Sequence, residues 1–191
     1  MNQSNKAVFF DRDGTLIKEA HYLSKLEQIE LFAQTASSLW RLKEAGYKLV
    51  MITNQSGVAR GYFTEAFVLE AFEEINRQLG PAAMDRMEYC PHHLQGLPPL
   101  NIDCDCRKPK PSMILKAAQA LGLDLSSSFM VGDKRCDIEL GYNAGVTPFL
   151  VTTGYGLKEL DGLKADYPKL QVFANLAQMA DHILAQAPGF G

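Results

Sequence analysis

Asp11 and Asp13 stand two residues apart in the run Phe10-Asp11-Arg12-Asp13-Gly14-Thr15, directly after the apolar stretch Ala7-Val8-Phe9-Phe10. Paired carboxylates at a strand end can divide covalent and acid–base work between them. If the extended backbone persists past Phe10, both acids point to one side and Arg12 to the other. Gly14 then lets the chain turn and approach a ligand closely.

A second group of reactive side chains lies further on. Cys90-Pro91-His92 and Cys104-Asp105-Cys106 present three thiols and an imidazole. A Cys₃His set suits tetrahedral Zn²⁺ and leaves no ligand position open for catalysis, so the metal it implies is structural. The stretch between, His93 to Asp103, contains Gly96, Pro98 and Pro99 and shows neither helical nor strand period. A metal clip would order such a loop. His93 competes with His92 for the fourth ligand position. Cys136 lies apart from the cluster and reads as a small buried residue.

The elements that must position these residues alternate. Short apolar runs at Ala7–Phe10, Lys48–Ile52, Met87–Tyr89, Phe129–Val131 and Phe149–Val151 read as strands. Helical patterns are expected over Thr35–Ala45, Thr64–Leu79, Pro111–Leu121, Arg135–Ala144 and Leu176–Gln186, with Gly46, Gly80, Gly122 and Gly145 as stops. Such alternation predicts an α/β fold, a doubly wound parallel sheet covered by helices on both faces. Ligands bind beyond the carboxyl ends of the strands in sheets of this kind. Asp11 and Asp13, Thr53 and Asn54, and Asp133 all fall there.

The D-x-D-G-T segment after an apolar strand resembles the first motif of the haloacid dehalogenase superfamily of phosphatases. Thr53, Lys108 and Gly132-Asp133, with Asp137 beyond, match its later motifs in order over residues 6 to 150. The resemblance implies a Rossmann-like fold and an aspartyl-phosphate mechanism, with Asp11 as nucleophile and Asp13 as general acid and base. It also implies a Mg²⁺ held by Asp11, Asp133 and the backbone carbonyl of Asp13.

The charges support that reading on physical grounds. A −1 carboxylate meeting a −2 phosphate at about 4 Å costs roughly 8 kcal/mol at an effective dielectric near 20. Uncompensated, this slows the reaction by about six orders of magnitude. Mg²⁺ and Lys108 can supply the missing positive charge, and the Thr53 hydroxyl can hold phosphoryl oxygens.

Within the superfamily, the segments Thr53-Asn54-Gln55-Ser56-Gly57, Cys90-Pro91-His92-His93 and Cys104-Asp105-Cys106-Arg107-Lys108-Pro109 resemble the branch that dephosphorylates a heptose bisphosphate for nucleotide-activated heptose and lipopolysaccharide synthesis. The histidinol-phosphate branch, which shares the zinc ligands, is the nearest alternative, and a non-catalytic binding module the alternative from another class. The resemblance favours His92 over His93 as zinc ligand. It also implies that Arg107 holds the second phosphate and that the segment Glu19 to Tyr22 borders the substrate. Lys134 and Arg60 lie near motif positions and could hold that phosphate too. Of Asn54, Gln55 and Ser56, the substrate-side residues after Thr53, the last two can hydrogen-bond hydroxyls.

Bulk properties bound the rest. With 191 residues, 47% of them hydrophobic, one domain over residues 1–191 is expected, with the zinc loop of about 90–106 inserted and no room for a large cap. A net charge of −3 offers no attraction to nucleic acid or anionic membrane. Neither a secretory signal nor a membrane span is legible, and the expectation is a cytoplasmic monomer acting on a small sugar bisphosphate.

Overall fold

The computed structural model describes residues 5–186. Strands β1 (Ala7–Phe10), β2 (Lys48–Asn54), β3 (Arg86–Cys90), β4 (Phe129–Gly132), β5 (Thr147–Val151) and β6 (Gln171–Phe173) form one sheet in the order β3-β2-β1-β4-β5-β6. Every pairing is parallel. The order reverses between β1 and β4, so the crevice for a ligand opens beyond their carboxyl ends, where Asp11 and Asp133 begin.

Helices α1 (Thr35–Glu44), α2 (Ser56–Ala59), α3 (Glu65–Leu79), α4 (Ser112–Leu121), α5 (Arg135–Ala144), α6 (Gly156–Asp166) and α7 (Leu176–Ala185) complete the chain. The period-2 alternation of strand side chains divides the core. Val8 and Phe10 of β1 pack with Leu39, Val68, Ile75, Met179 and Ile183 from α1, α3 and α7. Ala7 and Phe9 face the other way, into Met113, Ile114, Ala117 and Leu140 of α4 and α5. β1 is therefore buried on both sides and rigid where it delivers Asp11.

Local signals fix the helix ends. The Thr64 hydroxyl accepts the Phe67 N–H at 3.1 Å to cap α3, and Gly122 and Gly145 close α4 and α5 in the left-handed conformation. Three elements had no counterpart in the sequence reading: α2, α6 and β6. All six strands belong to the one sheet, and among the described residues no cap domain is built. No helix among these residues is long and apolar enough to cross a membrane.

Candidate active site

The chain bends immediately after β1. Leu16 and Ile17 both donate to the Arg12 carbonyl, at 3.0 and 3.1 Å, and Gly14 takes a φ of 85°. A Cβ on Gly14 would fall 2.1 Å from Asp133 Oδ2, so only glycine lets this turn lie against the end of β4. The bend overturns one expectation. Arg12 does not point away from Asp13; its guanidinium folds back on the Asp13 carboxylate, with Nε 3.0 Å from Oδ2 and Nη2 3.0 Å from Oδ1. Extended geometry stops at Phe10, and the opposite-side rule stops with it.

Asp11, Asp133 and Asp137 each place a carboxylate oxygen within 4.8 Å of the others, and all three are buried. The sequence places Asp137 with the Gly132-Asp133 motif but gives it no role of its own. Asp137 sits in the first turn of α5, where its Oδ2 accepts the Lys134 N–H at 3.1 Å and its side chain returns over the end of β4. Asp133 Oδ2 accepts the Tyr155 N–H at 2.7 Å, while its Oδ1 is buried without a partner.

Lys108 is the counter-ion. Its Nζ lies 2.6 Å from Asp11 Oδ1, 2.6 Å from Asp137 Oδ1 and 3.1 Å from the Ile52 carbonyl. Burial alone would lower its pKa, but Asp11 and Asp137 outweigh that and hold the ammonium well above the ordinary lysine value. Asn54 fixes the lysine backbone: its Oδ1 accepts the Lys108 N–H at 3.0 Å, and its Nδ2 donates to the Lys108 carbonyl at 3.4 Å.

Without a cation this arrangement is incomplete. Burial, followed by the charge of Asp11, pushes Asp133 from 3.8 up to about 8. Burial likewise raises Asp137 to about 6 even beside Lys108. The orphaned Asp133 oxygen and the all-oxygen donor set fit Mg²⁺, which reverses the sign of these shifts when bound. A carboxyl whose pKa folding raises contributes stability below its unfolded value and loses it as pH climbs through the folded one. The metal-free protein should therefore lose thermal stability from about pH 4 to about pH 8. Saturating Mg²⁺ should raise Tm more at pH 8 than at pH 5, and equal shifts at both would contradict a carboxylate site.

Asp13, Glu19, Tyr22, Asn54, Gln55, Ser56 and Lys134 line a cavity of about 120 Å³ with Arg12. Gln55 Nε2 donates to Thr53 Oγ1 at 2.8 Å and reaches Asp13 Oδ2 at 3.3 Å. Lys134 Nζ lies 3.3 Å from Glu19 Oε2 and 4.7 Å from the centre of the Tyr155 ring. Tyr22 meets Tyr62 edge to face at the rim, centroids 4.8 Å apart. Arg107 is not part of this wall. Its Nη1 donates to the His92 carbonyl at 3.2 Å.

The thiol cluster closes where β3 ends. Asn54 pairs with Cys90 across the sheet, so the first thiol starts beside the end of β2. Cys90 and Cys104 sulfurs are 3.4 Å apart, Cys104 and Cys106 3.2 Å, and His92 Nδ1 is 3.3 Å from Cys106 Sγ. All four cysteines of the chain are free. Ligands about 2.3 Å from a tetrahedral centre stand roughly 3.8 Å apart, so the set fits Zn²⁺ after a small expansion. His93 turns elsewhere: its Nδ1 accepts the Gln95 N–H at 3.1 Å, and Arg60 Nη2 lies 3.4 Å from its ring nitrogens. His92→Ala should accordingly release zinc, read as metal per chain after gel filtration, and His93→Ala should retain it. The reverse pattern would put the wrong imidazole in the cluster.

Residues 105–179 match the HAD-hydrolase-like family model. The D-glycero-beta-D-manno-heptose-1,7-bisphosphate 7-phosphatase of Pasteurella multocida is 42% identical over 177 residues, covering 91% of this chain and 96% of that protein. The chain belongs to the haloacid dehalogenase-like phosphatases. The enzyme of the same name from Escherichia coli K12 is 40% identical and covers 81% of this chain and 83% of its own length. Among solved structures of the family, D,D-heptose 1,7-bisphosphate phosphatase from B. bronchiseptica, complexed with magnesium and phosphate, superposes with a TM-score of 0.85. It is 30% identical and covers 95% of this chain and 99% of that one. The chain is thus a phosphoric monoester hydrolase of the family, with a carboxylate site for Mg²⁺ and a thiol–imidazole cluster that could hold zinc.

Proposed function

We propose that this chain removes the 7-phosphate of D-glycero-D-manno-heptose 1,7-bisphosphate through a covalent bond between Asp11 and phosphorus. The observation that carries it is the buried Asp11 carboxylate, clamped by Lys108 beside two further acids at the crevice between β1 and β4. The similarity of the whole chain to heptose bisphosphate phosphatases supplies the substrate.

An Asp11 oxygen bonds to phosphorus as the ester bond breaks. The leaving oxygen keeps that bond's electron pair and takes the proton of Asp13. Water then bonds to phosphorus and gives a proton to Asp13 as the Asp11–phosphorus bond breaks, which restores both acids. Asp11, Asp133 and the Asp13 carbonyl, with Asp137 beside them, would hold Mg²⁺, which would supply neutralising charge. Lys108 and Thr53 hold phosphoryl oxygens. Asn54 and Gln55 act through them, Asn54 by fixing the Lys108 backbone and Gln55 by linking Thr53 to Asp13.

Glu19, Tyr22, Ser56 and Lys134 face the sugar from the cavity wall. Arg107, next to Lys108 and tied to His92, is set to meet the second phosphate, with Arg60 against the His93 ring as a second candidate. Among the described residues neither guanidinium is paired with a carboxylate.

The chain works as a single domain, since every residue named comes from one sheet and its loops, and none of the proposed roles calls on a second copy. Free thiols in a zinc cluster belong to a reducing compartment, and the acidic net charge agrees with neither nucleic acid nor membrane as partner. The test is kcat/KM for both anomers of heptose 1,7-bisphosphate against histidinol phosphate. The bisphosphate should win by at least about 100-fold, equivalent to about 2.7 kcal/mol. A preference for histidinol phosphate overturns the substrate and leaves the chemistry standing.

A further inference from the structure

Arg12 has no part in the reaction as described above, yet it is 2% exposed beside the reacting groups. Burying a guanidinium is costly unless its partner repays the desolvation. Among the described residues the hydrogen-bond and ion-pair partner of its side chain is Asp13, the very next residue. A pair between chain neighbours ties no two elements together, so the cost is not returned as tertiary stability. It also requires the bend after Phe10, because successive side chains of an extended strand diverge.

What the pair does accomplish is geometric. The fork formed by Nε and Nη2 engages both Asp13 oxygens, and Gln55 Nε2 approaches Oδ2 from another side at 3.3 Å. An unrestrained aspartate samples three χ1 wells; this one is held in a single orientation at the cavity.

We infer that Arg12 is a positioning residue that holds the Asp13 carboxyl where it meets the leaving oxygen. The inference rests on the acid role given to Asp13 above. Proton donation matters when the leaving group is a poor one, such as a sugar alkoxide. It matters little for dinitrophenolate, which departs without a proton. The distinction separates orientation of the acid from general damage to the site.

The experiment compares kcat/KM for a sugar phosphate and for 2,4-dinitrophenyl phosphate, which reports the first chemical step. Arg12→Met should lose about 100-fold on the sugar phosphate and less than about 3-fold on the dinitrophenyl ester. Arg12→Lys, which keeps the charge but not the fork, should fall between and carries the comparison if the methionine variant does not fold. In an Asp13→Asn background, where both charges can be removed together, Arg12→Met should cost less than about 3-fold further.

Equal losses on both esters, or an undiminished cost in the Asp13→Asn background, would overturn the inference. A loss confined to KM and shared by both esters would do the same, since it would make Arg12 a substrate contact. If Asp11→Asn leaves both esters turning over, the underlying mechanism has failed instead, and the two failures are told apart.

Discussion

Asp11→Asn should lower kcat toward any phosphomonoester by about 10⁵-fold while leaving the fold intact. The amide is close in shape to the carboxylate but cannot form the bond to phosphorus, and no other described side chain is poised to replace it. Asp133 is turned toward the Tyr155 N–H, Asp137 toward Lys108 and the Lys134 N–H, and Asp13 is gripped by Arg12. Stability should change by less than about 1 kcal/mol, because Lys108 keeps Asp137 as counter-ion and one of three crowded acids loses its charge. Steady-state phosphate release and a thermal melt together decide it. Retention of more than a hundredth of the activity would make Asp11 a ligand and not the nucleophile.

Lys108→Met should damage both properties. Its ammonium is buried between Asp11 and Asp137 at 2.6 Å from each, so removing it strands two buried carboxylates. Breaking a buried pair from one side costs about 3–5 kcal/mol, visible as a lower urea midpoint in metal-free protein. The loss in kcat should be about 10³-fold, the scale of removing one preorganised donor from developing charge. Adding Asp137→Asn to Lys108→Met removes one stranded charge and should recover part of the stability but none of the activity. A Lys108→Met protein as stable as the parent would mean the acids are already neutral, which the close Nζ contacts argue against.

The positions of these residues were legible in the sequence to the extent that they follow strands. Asp11, Thr53 and Asp133 end or follow runs of Val, Ile, Phe and Met buried on both faces, which only a central parallel sheet accommodates. The helices α1, α3, α4, α5 and α7 are legible by apolar period, and all but α7 also by a glycine at the end. What escaped has identifiable physical causes. In α6 only Gly156 and Leu163 are buried, so its apolar stripe is too narrow to register as a period. β6 is three residues long at the sheet edge, and α2 is a single turn.

Within the site, the misreadings come from direction and not from identity. Strand geometry sends Arg12 to the side opposite Asp13, and the bend directly after Phe10 brings it back. Asp137 was passed over as a site residue because a helical acid four residues on looks like an ordinary first-turn charge; only the packing of α5 over β4 returns it to the crevice. His92 could be preferred to His93 only by resemblance, and the fold separates them by turning one ring to the thiols and the other to Gln95. Arg107 and Lys108, adjacent in sequence, diverge in the fold. Lys108 enters the site, while the Arg107 side chain bonds the His92 carbonyl and so couples the thiol cluster to the cation beside the nucleophile.

Formation of the Asp11–phosphorus bond can be tested most directly by stopping a Mg²⁺-supported turnover in acid within milliseconds and reducing the mixture with borohydride. An acyl phosphate at position 11 would be converted to homoserine there, identifiable by peptide mass spectrometry and absent when substrate is omitted. Full phosphate release with position 11 unmodified, and with inversion at a chiral phosphorus, would mean that water attacks the ester in one step and that Asp11 never bonds to it.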